Sequence, residues 1–155
     1  MEDGADVIHF ATHGLSDPRQ PQASLLLLPA LDAAGSPTYL TAGQVQEWRG
    51  DVELVFLSAC ETAVGPSRFA EGLPGMQRAF LRAGSRAVIA TLWPVEDIYA
   101  REFAADFYRR YFGGMRASQA LSETQRAWIA AVSGLSAREQ SYRRMTAWAH
   151  AIYSE

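Results

Sequence analysis

Val52-Glu53-Leu54-Val55-Phe56-Leu57-Ser58-Ala59 is the stretch that decides the fold. A run this apolar is expected of a strand covered on both faces, as in the interior of a parallel sheet, and it ends at Cys60. Toward the amino terminus, Val7-Ile8-His9-Phe10-Ala11-Thr12 is a second buried strand, which ends at His13-Gly14 and enters the turn residues Ser16-Asp17-Pro18. Between the two, residues 24–28 are extended up to Pro29 and residues 32–37 form a polar, glycine-containing connection. Thr41 then reads as the N-cap of a helix carrying Ala42, Val45 and Trp48 and ended by Gly50. Toward the carboxyl terminus, a Gly/Pro/Ser loop at 63–67 leads into an amphipathic helix with Leu73, Met76, Phe80 and Leu81, closed by Gly84. Residues 86–93 return as a strand stopped by Pro94. Helices are predicted over 98–112 and 118–132, a weaker one over 136–145, and an edge strand or final helical turn over 148–153.

Strands alternating with helices predict an α/β fold with right-handed crossovers and a parallel sheet, in which ligands sit at the carboxyl ends of the strands. His13 and Cys60 each fall about one residue beyond the end of a predicted strand, so parallel neighbours bring them to one edge of the sheet.

Composition narrows the class. With 155 residues, 48% hydrophobic, 20% charged and 11% aromatic, the chain suits one globular domain with a true core, which excludes collagen, coiled coil and bulk disorder. The longest apolar run, 25–28, stops at Pro29, far short of the roughly 20 residues that cross a bilayer, so no membrane partner is expected. Met1-Glu2-Asp3-Gly4-Ala5-Asp6 carries three acids and no base, the reverse of a secretory signal, and a cytoplasmic location is expected. The net charge is -3 and the 14 basic residues are scattered arginines, which predicts no nucleic-acid partner. A single cysteine forms neither an internal disulfide nor a thiolate zinc site, so any role of Cys60 is that of a thiol.

A cysteine nucleophile needs its thiolate, which a nearby imidazole favours, and backbone N–H groups to receive the developing oxyanion. His13 meets the first need. Gly14 lets the backbone approach a substrate closely, and its N–H with that of Cys60 meets the second.

The residues that carry this chemistry also resemble a family. His9-Phe10-Ala11-Thr12-His13-Gly14 and Leu57-Ser58-Ala59-Cys60-Glu61-Thr62 resemble the two signature segments of CHAT domains, caspase-like cysteine peptidases often attached to tetratricopeptide repeats. Glu71-Gly72-Leu73, Ala79-Phe80-Leu81-Arg82-Ala83-Gly84, Leu92-Trp93-Pro94-Val95-Glu96-Asp97, Phe107-Tyr108, and Ala120-Leu121 with Gln125 follow the family's order and spacing. The resemblance covers residues 6–128. It implies a caspase-like three-layer sandwich, a mostly parallel sheet flanked by helices. It also implies Cys60 as nucleophile, His13 as general base, and Gly14 and Cys60 N–H as the oxyanion hole. Such a fold normally has two strands and a helix before the His-bearing strand. By that standard, residues 1–155 are expected to be one amino-terminally incomplete domain, or else a regulatory repeat domain or partner protein is expected to cover the edge of the His strand. Trp148-Ala149 fits the family's last strand, although the His-Pro that often precedes it is missing.

Other residues carry weaker signals. His9 and His13 are four apart, which on a strand is over 13 Å at roughly 3.3 Å per residue, too far to share a metal. His9 therefore reads as a hydrogen-bonded core residue, and His150 as structural or exposed. Trp93, Glu96 and Asp97 read either as a substrate pocket, with a carboxylate for a basic side chain, or as a helix start stabilised by acids. Glu61 and Thr62 orient the loop or contact substrate, and Glu71 reads as a helix-start residue. The stripe Phe103, Phe107, Tyr108, Tyr111 and Phe112 reads as core packing. With no phosphate-binding loop, neither a nucleotide nor any other cofactor is expected.

Three functions fit this sequence. The first is a cysteine endopeptidase acting on a protein or peptide substrate as effector of a larger regulated system. The second is a non-catalytic interaction module on the same fold, and the third a small-molecule amidase or transferase using the same dyad.

Overall fold

The computed structural model describes residues 6–17, 19–61, 74–131 and 134–154, with the backbone alone at Cys60, Glu61, Trp148 and 151–154. The expected loop at 63–67, the helix start at Glu71 and Leu73, and Thr62 lie outside the described residues. In chain order the elements are β1 (Val7–Leu15), β2 (Leu25–Leu31), β3 (Pro37–Thr41), α1 (Ala42–Gln46), β4 (Leu54–Glu61), α2 (Pro74–Arg82), β5 (Ala87–Thr91), α3 (Asp97–Tyr111), α4 (Ala117–Ala130), α5 (Ala137–Ala149) and β6 (His150–Ser154). The chain divides into two compact units, residues 1–94 with 153–155, and residues 95–152. Among the described residues, no helix is long and apolar enough to cross a membrane.

In the first unit the strands lie in the order β3-β2-β1-β4-β5. β4 is parallel to β1 on one side and to β5 on the other, while β2 and β3 add an antiparallel hairpin, so the sheet is mixed. The apolar run behaves as its composition requires: Leu54, Val55, Phe56 and Leu57 are all buried, on both faces of β4. Ile8 and Phe10 of β1, Val55, Leu57 and Ala59 of β4, and Val88 and Ala90 of β5 form one face, against which Ala42 and Val45 of α1 and Met76, Ala79 and Phe80 of α2 pack. α1 starts at the expected cap. Thr41 accepts from the Gln44 N–H at 3.2 Å, and the Gln44 side chain accepts from the Thr41 N–H at 2.8 Å. The polar connection is a turn in which one Asp32 carboxylate oxygen accepts from the N–H groups of Ala34 and Ser36. β3 has no counterpart in the sequence reading.

Two glycines fix how closely the helices approach. A Cβ on Gly75, in the first turn of α2, would lie 2.2 Å from the carbonyl oxygen of Pro21. Gly84, which closes the same helix at φ +106°, would put a Cβ 2.2 Å from the carbonyl oxygen of Gly50.

The second unit is built from α3, α4 and α5, with the first residues of β6. Phe103 and Phe107 are buried as expected, but Phe112 is 71% exposed, because α3 ends before it and the chain turns away at Gly113-Gly114. Phe103 meets Trp128 edge-on, and Trp128 Nε1 donates to Asp106 at 2.7 Å. α5 is better defined than its sequence suggests, because Ser136 and Glu139 form a reciprocal cap. The helix runs on through Ala149, so Trp148-Ala149 belongs to it and not to the last strand. The amide of Gln125 donates to the carbonyls of Ala147 and His150 at 3.0 and 2.8 Å, satisfying the helix end that a strand start at 148 would have broken. His150 is buried, with Nδ1 donating to the Thr146 carbonyl and the ring stacked on Phe103.

The Asp106–Trp128 pair makes stability depend on pH. Desolvation alone would raise the Asp106 pKa, but hydrogen bonds from Trp128 and Arg109 outweigh it and hold the carboxyl below its ordinary 3.8. Folding therefore favours the carboxylate, and the stability this adds is fully present above the unfolded-state value and lost as pH falls through the lower folded one. Asp106→Asn is expected to flatten the acid limb of a plot of unfolding free energy against pH below about 4. Urea melts at pH 3 to 6 measure it, and an unchanged slope would disprove the assignment.

Candidate active site

The centre of the sheet aligns the two residues singled out by chemistry. β1 and β4 pair in parallel from Val7↔Leu54 to Gly14↔Glu61, and within that register His13 pairs with Cys60. Neighbouring strands lie about 4.8 Å apart, so a separation of 47 residues in sequence becomes one strand spacing in the fold. Alternation then assigns faces. Ile8, Phe10, Val55, Leu57 and Ala59 look toward α1 and α2, so positions 9, 13, 56, 58 and 60 belong to the opposite face.

The strands run further than predicted. β1 continues to Leu15 and β4 to Glu61, so His13 and Cys60 lie inside the ladder rather than just past it. Gly14 is buried and paired on both sides, with Glu61 of β4 and Leu26 of β2. The hairpin meets β1 only at its end, the registered pairs among the described residues being Gly14↔Leu26 and Leu15↔Leu25. Thr12 reinforces that junction by donating from Oγ1 to the Leu27 carbonyl.

His13 is exposed. His9 is exposed too, which corrects the core assignment. It shares the face of His13 and lies against the Phe56 ring, centroids 4.8 Å apart, where desolvation lowers its pKa while its outer edge stays open. Its apolar neighbours in sequence, Ile8 and Phe10, point the other way into the core.

On the other flank of β4, Thr91 closes β5. Its Oγ1 donates to the carbonyl oxygen of Ala59, the residue before Cys60, at 3.1 Å, and both groups are buried. Sequence reasoning passed over this threonine, because a single hydroxyl at the end of an apolar run carries no motif. Trp93 follows β5, half-buried, with its indole N–H buried and without an acceptor among the described residues. Glu96 and Asp97 begin α3, Glu96 at the N-cap and Asp97 in the first turn, where an acid favours the helix dipole. Both are exposed, and the Glu96 side chain makes no cap hydrogen bond. Glu96 also acts on Arg138, whose pKa is raised first by its hydrogen bond to Tyr142 and then, among smaller effects, by the Glu96 charge.

A mixed α/β sheet with a parallel centre and helices packed against its face is the architecture of the caspase-like class of fold. Within that class, the sequence model of the CHAT domain matches residues 1–154, and the chain belongs to the CHAT domain family. Among characterised proteins, it is similar to Tetratricopeptide repeat protein 28 of Mus musculus, 38% identical over 87 residues, and to that of Homo sapiens, 34% identical over 87 residues. Each match covers 56% of this chain but spans only 4% of the relative's length.

Proposed function

We propose that this chain is a cysteine endopeptidase domain that hydrolyses a protein substrate through His13 and Cys60, as effector of a larger regulated system. The observation that carries the reading is the register pair His13↔Cys60. In this mechanism His13 takes the thiol proton, and the Cys60 sulfur attacks the scissile carbonyl. The oxyanion is received by the N–H groups of Gly14 and Cys60. His13 then protonates the departing amine, and water, deprotonated by His13, hydrolyses the acyl-enzyme to release the acid and the free thiol.

A second reading, a non-catalytic interaction module, draws on a specific feature: the β1–β4 ladder continues past the dyad to Gly14↔Glu61, leaving a substrate carbonyl to part those strands. Labelling the full-length protein with peptide acyloxymethyl ketones and mapping the modified residue by mass spectrometry separates the two. Modification at Cys60 that depends on His13 supports the peptidase, and an unreactive Cys60 in a folded protein supports the module.

On sequence grounds, Glu61, Trp93, Glu96 and Asp97 are proposed as substrate contacts, and the acids among them favour cleavage after Arg or Lys. A charge-assisted hydrogen bond of about 1.5–3 kcal/mol gives roughly ten- to hundredfold selectivity over Asp. Fluorogenic peptides differing only at that residue test it. Faster turnover of the Asp peptide, or full Arg selectivity retained in Glu96→Gln/Asp97→Asn, refutes the assignment. A tetratricopeptide-repeat partner, within the same protein or separate, is proposed because the two relatives are tetratricopeptide repeat proteins.

A further inference from the structure

A buried hydroxyl one strand away from Cys60 holds the peptide group on which this chemistry turns. Thr91 is 3% exposed, and its Oγ1 donates to the Ala59 carbonyl at 3.1 Å. The registered pairs between β4 and β5 are Val55↔Val88, Phe56↔Ile89 and Leu57↔Ala90. The Thr91 bond lies just beyond the last of them, so a side chain ties β4 to β5 where the regular pairing has stopped. The Ala59 carbonyl and the Cys60 N–H belong to one peptide unit, planar and trans, and so point in opposite directions. With the carbonyl held toward β5, the Cys60 N–H faces β1, the strand that carries His13, inside the ladder that runs on to Gly14↔Glu61, so an attacked carbonyl meets that N–H by parting the two strands at this rung.

We propose that Thr91 is a positioning residue: by clamping the Ala59 carbonyl it aims the Cys60 N–H between β1 and β4, where the oxygen of an attacked carbonyl gains charge. The catalytic half of this inference rests on the peptidase reading, and the clamp itself concerns backbone geometry alone. Thr91→Val keeps the shape and removes the donor, whereas Thr91→Ser keeps the donor. In the full-length protein, Thr91→Val is expected to lower kcat about 10- to 100-fold with little change in KM, and Thr91→Ser to restore most of it. Alkylation of Cys60 by iodoacetamide, a displacement that forms no oxyanion, is expected to keep its rate in both variants. Hydrogen–deuterium exchange of the peptide covering residues 56–61 is expected to quicken in Thr91→Val and not in Thr91→Ser. Thr91→Ala provides the same comparison where Thr91→Val does not fold.

Unchanged kcat and exchange in the donor-less variants would overturn the proposal, as would a serine variant that fails like valine. So would an alkylation rate that falls in step with kcat, which would mean that the thiol and not the N–H had been disturbed. A wild-type protein that hydrolyses no peptide would overturn the peptidase reading, while the exchange comparison would still decide the clamp.

Discussion

Cys60→Ala is expected to abolish peptide hydrolysis by the full-length protein, with kcat/KM falling by about 10,000-fold or more. The size follows from the division of labour at the site. Without the sulfur no acyl-enzyme forms, and the backbone donors alone stabilise a reaction that lacks its nucleophile. His13→Ala is expected to cost nearly as much, because at neutral pH an unassisted thiol is largely protonated. The double variant is expected to be no worse than the poorer single one, since residues acting as a unit do not contribute additively. Stability separates this outcome from unfolding. His13 is exposed, so its removal is expected to shift unfolding by about 0.5 kcal/mol or less. Kinetics with a fluorogenic peptide, paired with thermal melts, read both quantities. Full activity of either variant, or loss of activity only in step with loss of folded protein, would defeat the dyad.

The largest stability effect is expected at Gly84. Its φ of +106° excludes an L side chain without strain, and a Cβ there would stand 2.2 Å from the backbone oxygen of Gly50. That oxygen cannot swing aside as a flexible side chain would, because Gly50 donates from its own N–H to the Ala83 carbonyl at 3.2 Å and so is tied to the same turn. Backbone strain of about 1–3 kcal/mol adds to about 1–3 kcal/mol for overpacking, so Gly84→Ala is expected to lose roughly 2–6 kcal/mol. Urea denaturation of the variant measures this, and a loss under 1 kcal/mol would mean that the turn yields. The damage should spread to the core face, since the turn joins α2, with buried Met76 and Phe80, to the strand carrying Val88 and Ala90.

What could be read from the sequence divides along physical lines. β4 was legible because burial on both faces leaves an uninterrupted apolar run, and α1 because Thr41 and Gln44 sit at cap spacing. The pairing of His13 with Cys60 followed from placing two reactive residues at the ends of strands that a crossover makes parallel. β3 was hidden: every residue of Pro37-Thr38-Tyr39-Leu40-Thr41 is partly buried or exposed, and its extension comes from pairing with β2 rather than from its own composition. His9 was misjudged because its apolar neighbours lie on the other face, and alternation is invisible when both flanks are hydrophobic. The Thr91 bond was beyond reach for another reason. It joins residues 32 apart, and no local pattern announces which carbonyl a hydroxyl will meet.

The alignment of β1 with β4 also sets when the site comes into being. The β2–β3 hairpin closes on a short turn, and contacts that local form on the microsecond scale. Pairing of parallel strands instead waits for an intervening crossover to collapse, and its closure entropy comes due before any contact rewards it. His13 and Cys60 therefore meet only in a non-local step of folding. A chain still emerging from the ribosome, or one partly unfolded, contains both residues without the alignment between them, so the register pair, and with it the dyad proposed above, arrives together with the central sheet and is lost with it.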